Sequence, residues 1–194
     1  MKKALYVDCC IRGEVSRTKQ LADAFLNHLP KEYEVQILHL DEENLSAFSG
    51  AFFAQRERLL EAGELNHPRF RYAHQFAEAD LVVIAAPLWD LSFPALLKVY
   101  IEQLCVDGIT FGSTEKGIAG LCKAEHMVYL TTRGGFYTDS DMEMGSRYLD
   151  AMHMFFGIKN YTCIAADGMD VVGFDGEKSL EAAKEKAAKL AVSL

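Results

Sequence analysis

Apolar and polar positions alternate between two rhythms along the chain. Five short apolar runs, at residues 4–7, 34–40, 81–86, 127–131 and 161–165, predict strands. The first and third are nearly continuous, as expected of strands covered on both faces. The second alternates Val35, Ile37 and, after a break in phase, Leu40, which predicts a place nearer the edge of a sheet. Between the strands the spacing becomes helical. Leu21, Ala24, Phe25 and Leu29 share one helical face, and Phe93, Leu96, Leu97, Tyr100, Ile101 and Leu104 share another. Further helices are predicted at about 145–156 and over the closing GEKSLEAAKEKAAKLAVSL.

Strands alternating with helices predict an α/β fold, a five-stranded parallel sheet with helices on both faces. With no linker, repeat or low-complexity tract, residues 1–194 are expected to form one domain. The segment between the second and third strands is longer than a crossover needs. GAFFAQRERLLEAGEL predicts an added helix there, with Phe52, Phe53, Leu59 and Leu60 either forming a pocket wall or dimer contact or simply packing on the sheet.

Ligands of open parallel sheets bind beyond the carboxyl ends of the strands. Here that rule selects loops 8–18, 87–92 and 132–138. The first ends at a helix N-terminus carrying Ser16, Arg17 and Thr18, a combination suited to an anion, although Ser16 could serve only as the helix cap. The second, with Leu88, Trp89, Asp90 and Leu91, offers an apolar and aromatic wall for a flat ring, or a cover for the core. The third contains Thr132, Arg133, Gly134 and Gly135, and its paired glycines let the backbone approach a ligand closely. Phosphate at the first loop and a planar ring between the other two together outline a flavin mononucleotide site.

Composition removes several alternatives. A net charge of −8 argues against nucleic acid as a partner. No apolar run is long enough to span a bilayer, and the run after Lys2 and Lys3 is too short for a signal peptide, so a cytoplasmic protein is expected. The cysteines at 9, 10, 105, 122 and 163 form no C-x-x-C pair, and no metal site is expected. Cys105 and Cys163 lie in apolar segments and read as core fillers. A phosphatase with Cys10 as nucleophile fits poorly. Six residues separate Cys10 from Arg17, where low-molecular-weight tyrosine phosphatases have five, and no Asp-Pro pair supplies the acid.

The Ser/Thr-bearing first loop, A-P-x-x-x-x-x-x-P-x-x-L-K from Ala86, D-G-I-T-F from Asp107 and T-x-R-G-G from Thr131 resemble the FMN-dependent NADH azoreductases. That flavodoxin-like family comprises homodimeric quinone and azo-dye reductases, and the resemblance runs from residue 3 to about 173. It implies FMN as cofactor, NADH or NADPH as hydride donor, a quinone or azo acceptor, a homodimer and ping-pong kinetics. It places the FMN phosphate on Ser16, Arg17 and Thr18 beside Cys10, and the ring and ribityl chain along Leu88, Trp89, Asp90 and Leu91. The pyrimidine edge falls to Thr132, Arg133, Gly134 and Gly135, with Tyr137 reaching substrate. No catalytic side chain is implied, because the flavin carries the chemistry. Two departures stand out: Cys9 and Cys10 replace the family's usual serines, and Trp89-Asp90 replaces tyrosine-asparagine. Weaker thiol donors would shift phosphate binding onto Arg17 and backbone N–H groups. A flavodoxin-like electron carrier would want a T-x-T-G-N-T loop, which is missing; a reductase that releases its reduced flavin fits the same residues.

Overall fold

A computed structural model describes residues 1–115 and 117–194. Five parallel strands, β1 (Lys2–Asp8), β2 (Tyr33–His39), β3 (Leu81–Ala85), β6 (His126–Thr132) and β7 (Asn160–Ala166), form one sheet in the order β2-β1-β3-β6-β7. This is the doubly wound order in which the chain reverses direction across the sheet between β1 and β3. β3 is buried at every position, whereas β2 and β7 lie at the edges; β2 exposes Glu34, Val35 and Ile37, in keeping with the edge position that its broken phase predicts. Ladder pairs place Asp8 opposite Ala85 and Thr132 opposite Ala166, so the strands finish along one edge.

Two layers of helix cover the sheet. α1 (Arg17–Leu26) and α6 (Gly176–Ser193) pack Leu21, Phe25, Leu180 and Ala187 against Tyr6, Val83 and Val128. On the other face α3 (Arg71–Glu78), α4 (Ala95–Leu104) and α5 (Gly145–Phe155) pack Phe76, Leu97, Tyr100 and Leu149 against Leu5, Val82 and Tyr129. Side chains alternate across each strand, so β1 feeds both cores at once.

α2 (Gly50–Glu61) is the added helix that the long connection predicts. The crossover itself is made by α3, which the hydrophobic pattern left unassigned. Leu59 is buried with Phe70, Ala73, Val106 and Ile109, so this end of α2 packs in the ordinary way. Phe52 lies beneath the Arg69 guanidinium, 3.8 Å from its ring centre, and Phe53 is exposed. A second unexpected element is the antiparallel pair β4 (Phe111–Thr114) and β5 (Gly117–Gly120). No helix among the described residues is long and apolar enough to cross a membrane, and no cluster of acidic, histidine or cysteine side chains among them could hold a metal ion.

Candidate functional site

The three loops converge on a cleft of about 500 Å³ at the carboxyl edge of the sheet. Ser16, Arg17, Thr18, Leu88, Trp89, Asp90, Leu91, Thr132, Arg133, Gly134, Gly135 and Tyr137 all line it. Each is held there by a different local device.

At the first loop, Asp8 Oδ1 accepts from the Cys10 N–H at 2.9 Å and turns the chain as it leaves β1. The Ser16 hydroxyl accepts from the Lys19 N–H at 3.3 Å and caps α1. The two readings of Ser16 are therefore compatible, since the capping residue also lines the cleft. Capping leaves the N–H groups of Arg17 and Thr18 without a protein partner among the described residues, as the first turn of a helix must. Thr18 and Thr132 share a 2.6 Å hydrogen bond that ties this turn to the end of β6. Arg17 Nη1 donates to the Met169 carbonyl at 3.2 Å and to Asp170 Oδ1 at 2.9 Å.

Cys10 stands apart from the expected set. It is absent from the cleft lining, and its thiol is buried, 3.8 Å from the Ala85 carbonyl that it donates to. Burial, with Asp8 adding to it, pushes the Cys10 thiol well above its ordinary range, and burial pushes Cys9 up to about 12. Neither is a thiolate at neutral pH, which removes the nucleophile that a phosphatase would need.

The second loop is rooted by Leu88 N–H on the Thr132 carbonyl at 3.0 Å and by the Tyr129 hydroxyl on the Ala86 carbonyl at 3.2 Å. It then folds into a two-residue turn. Trp89 and Ser92 exchange both backbone hydrogen bonds at 2.9 Å, with Asp90 at φ 50° and Leu91 at φ 70°. Asparagine or glycine is the usual choice for such a turn; leucine with positive φ is strained there. The Met144 N–H holds the Leu91 carbonyl at 2.8 Å. The result is a fixed tip that presents Trp89 and Leu91, each 41% exposed, to the cleft.

In the third loop the carbonyls of Arg133, Gly134 and Gly135 accept from the N–H groups of Met169, Asp170 and Gly168 at 2.9–3.0 Å. Among the described residues the N–H groups of Gly134 and Gly135 have no protein partner. Both glycines sit close to neighbouring side chains, which would have to yield to a Cβ: one on Gly134 would sit 2.8 Å from Asp170 Oδ2, and one on Gly135 3.0 Å from the Tyr137 ring. The Arg133 side chain, which lines the cleft, keeps only its Nε–H without a partner among the described residues. Its Nη1 and Nη2 groups are engaged with a part-buried Asp167 at 3.4 Å and a buried Glu143 at 3.5 Å. Arg133 therefore reaches the cleft from within the loop's packing, with its charge already matched.

Ile11, Arg12, Pro87, Met169 and Asp170 complete the lining. Ile11 and Arg12 belong to loop 8–18 and Pro87 to loop 87–92, but nothing in the sequence marks Met169 and Asp170 as wall residues. Only the adjacency of loop 167–170 to loop 133–135 does so.

Among the described residues the cleft has unpartnered N–H groups and a guanidinium at the α1 end, an apolar aromatic wall, and unpartnered N–H groups at the glycine pair. That donor set fits FMN: an anion at the helix end and a flat ring with hydrogen-bonding edges beside the glycines. Sheet order and cleft position together define a flavodoxin-like α/β protein. The chain belongs to the Flavodoxin_2 family, described by its flavodoxin-like fold, whose model it matches over residues 2–191.

Among its relatives is the FMN-dependent NADH:quinone oxidoreductase 2 of Clostridium acetobutylicum, 42% identical over 96% of this chain and 98% of that protein. An FMN-dependent NADH:quinone oxidoreductase of Clostridium perfringens is 41% identical over 98% of each. The crystal structure of an azoreductase from Bacillus anthracis superposes over 100% of both chains with a TM-score of 0.89 and 29% identity.

Proposed function

We propose that this chain is an FMN-dependent NADH:quinone oxidoreductase that also accepts azo compounds, with residues 1–194 acting as one flavodoxin-like unit. The observation that carries the reading is the cleft's division of labour, in which N–H donors with no protein partner among the described residues stand at both ends of an apolar wall. Relatives named for this activity at about 40% identity over nearly the whole chain support it.

Ser16, Arg17 and Thr18 bind the phosphate, Arg17 being held in place by Asp170 and the Met169 carbonyl. Leu88, Trp89 and Leu91 cover the ring and exclude water, while Asp90 lies exposed at the turn. Gly134 and Gly135 offer N–H groups to the pyrimidine edge, and Tyr137 borders the space left for substrate. Bound FMN supplies hydride acceptance from NADH and two-electron delivery to the acceptor. Donor and acceptor then use the same walled space in turn, so initial-rate lines run parallel when one is varied at fixed levels of the other. Converging lines would contradict this.

The same reading includes a homodimer, with exposed apolar residues such as Trp89 and Leu91 at the cleft covered by a second copy. Light scattering would give the mass of a dimer; a monomer at micromolar concentration would contradict it. Cytoplasmic placement belongs to it too, supported by five free cysteines. FMN titrated into the apoprotein should bind with 1:1 stoichiometry per chain, and Arg17→Ala should weaken it at least tenfold. Undiminished binding by that variant would remove the phosphate assignment.

A further inference from the structure

We infer that Asp167 is the positioning residue of the cleft, the group that sets the course of loop 133–138 and so the glycine donors and Tyr137. The inference rests on the reading that this cleft holds FMN. Asp167 follows Ala166, the last residue of β7, which is paired with Thr132 at the end of β6. Its Oδ2 accepts from the Tyr137 N–H at 2.8 Å and from the Thr138 N–H at 2.6 Å. Its Oδ1 faces Arg133 Nη1 at 3.4 Å, and Arg133 Nη1 also donates to Thr138 Oγ1 at 3.3 Å. One carboxylate thus grips the loop at both ends, at Arg133 before the glycines and at Tyr137 and Thr138 after them.

The grip depends on an acceptor with two oxygens. Three donors converge on Asp167, and the carboxylate is the only common side-chain group that offers acceptors to all of them and a donor to none. Asparagine could turn its single oxygen to the Tyr137 and Thr138 N–H groups. Its NH2 would then oppose the Arg133 guanidinium, donor against donor. Sequence reasoning assigned the donor role to Arg133 and gave Asp167 none. The structure adds Asp167 to that picture, because the Nη1 and Nη2 groups of Arg133 are engaged in the clamp while its Nε–H alone has no partner among the described residues.

Glu143 provides the control. It faces Arg133 Nη2 at 3.5 Å and accepts from the Ser146 N–H in the first turn of α5 at 3.0 Å, and among the described residues it makes no hydrogen bond to Tyr137 or Thr138. Both carboxylates belong to one buried network, so both variants lose stability. Only Asp167→Asn should alter the flavin's surroundings.

The test measures FMN dissociation constants of the apoproteins and the reduction potential of the bound flavin for wild type, D167N and E143Q. D167N is expected to weaken FMN at least tenfold and to make the potential more negative, as N–H donors leave the ring edge. E143Q is expected to unfold at lower denaturant while holding FMN within about twofold of wild type at an unchanged potential. If D167N does not fold, Asp167→Glu carries the test: it keeps the charge, displaces the carboxylate and should shift the potential in the same direction. Wild-type affinity and potential in the Asp167 variant would overturn the inference, as would E143Q moving both as far. Failure of the wild type to bind FMN would instead overturn the reading of the cleft itself.

Discussion

Thr18 and Thr132 show how little separates a structural from a ligand-binding residue. Their hydroxyls meet at 2.6 Å, and both residues are buried. Thr18→Val keeps the shape and strands the Thr132 hydroxyl, which should lower unfolding free energy by about 1–3 kcal/mol. Urea denaturation measures it, and an unchanged midpoint would contradict the bridge. Cys10→Ser should leave FMN affinity within about twofold, because the thiol faces the Ala85 carbonyl rather than the cleft. A large gain in affinity on titration would return Cys10 to the phosphate. The residue types around the cleft were legible in the sequence because helix starts, apolar strand ends and glycine pairs have local signatures. Direction was not. Which way Cys10 and Arg133 turn depends on Ala85 and Asp167, which lie far from them in the chain, and on Glu143 in the connection to the next helix.

Backbone cost and function meet in the turn at Trp89–Ser92. Leu91→Gly relieves the positive φ, a strain of about 1–3 kcal/mol partly offset by glycine's greater freedom in the unfolded chain. The apoprotein should therefore melt higher while FMN binds more weakly, because an apolar wall residue is gone. A lower melting temperature would show that Leu91 is not strained. At the opposite limit, β5 and the end of α5 touch backbone to backbone: a Cβ on Gly120 would overlap Phe156 and Gly157. Neither side is a flexible side chain, so Gly120→Ala should destabilise by about 3 kcal/mol or more, read from the denaturation midpoint. The five strands and the long apolar helices were legible because each carries its own periodicity. α3 was not, since its 8 residues make only about two turns and bury just Tyr72, Ala73 and Phe76. Nor was the β4–β5 pair, whose exposed GIAG strand is stabilised by contact with α5 rather than by an alternating pattern.

At the scale of the whole molecule, pH reports on how the sheet is packed. His126 begins β6, with its ring nitrogen 2.8 Å from the Thr162 hydroxyl, and burial together with nearby His153 lowers its pKa below the ordinary 6.5. The unfolded chain then takes up a proton that the folded one refuses. Stability from this site is complete above about pH 6.5 and declines as pH falls through that value toward the lower folded pKa. His126→Gln should flatten that part of a plot of unfolding free energy against pH; an unaltered slope would contradict the assignment. Fold and function join at the same scale, because sheet order alone brings residues 16–18, 88–91 and 132–137 to one edge. The central claim is that this edge holds FMN and cycles it between NADH and a quinone. The most direct test is an anaerobic visible spectrum of the FMN-loaded protein, recorded before and after adding NADH and again after adding a quinone. Bleaching by NADH and full recovery with quinone is the predicted result. Bound flavin that NADH leaves coloured would contradict the enzyme and favour an electron carrier.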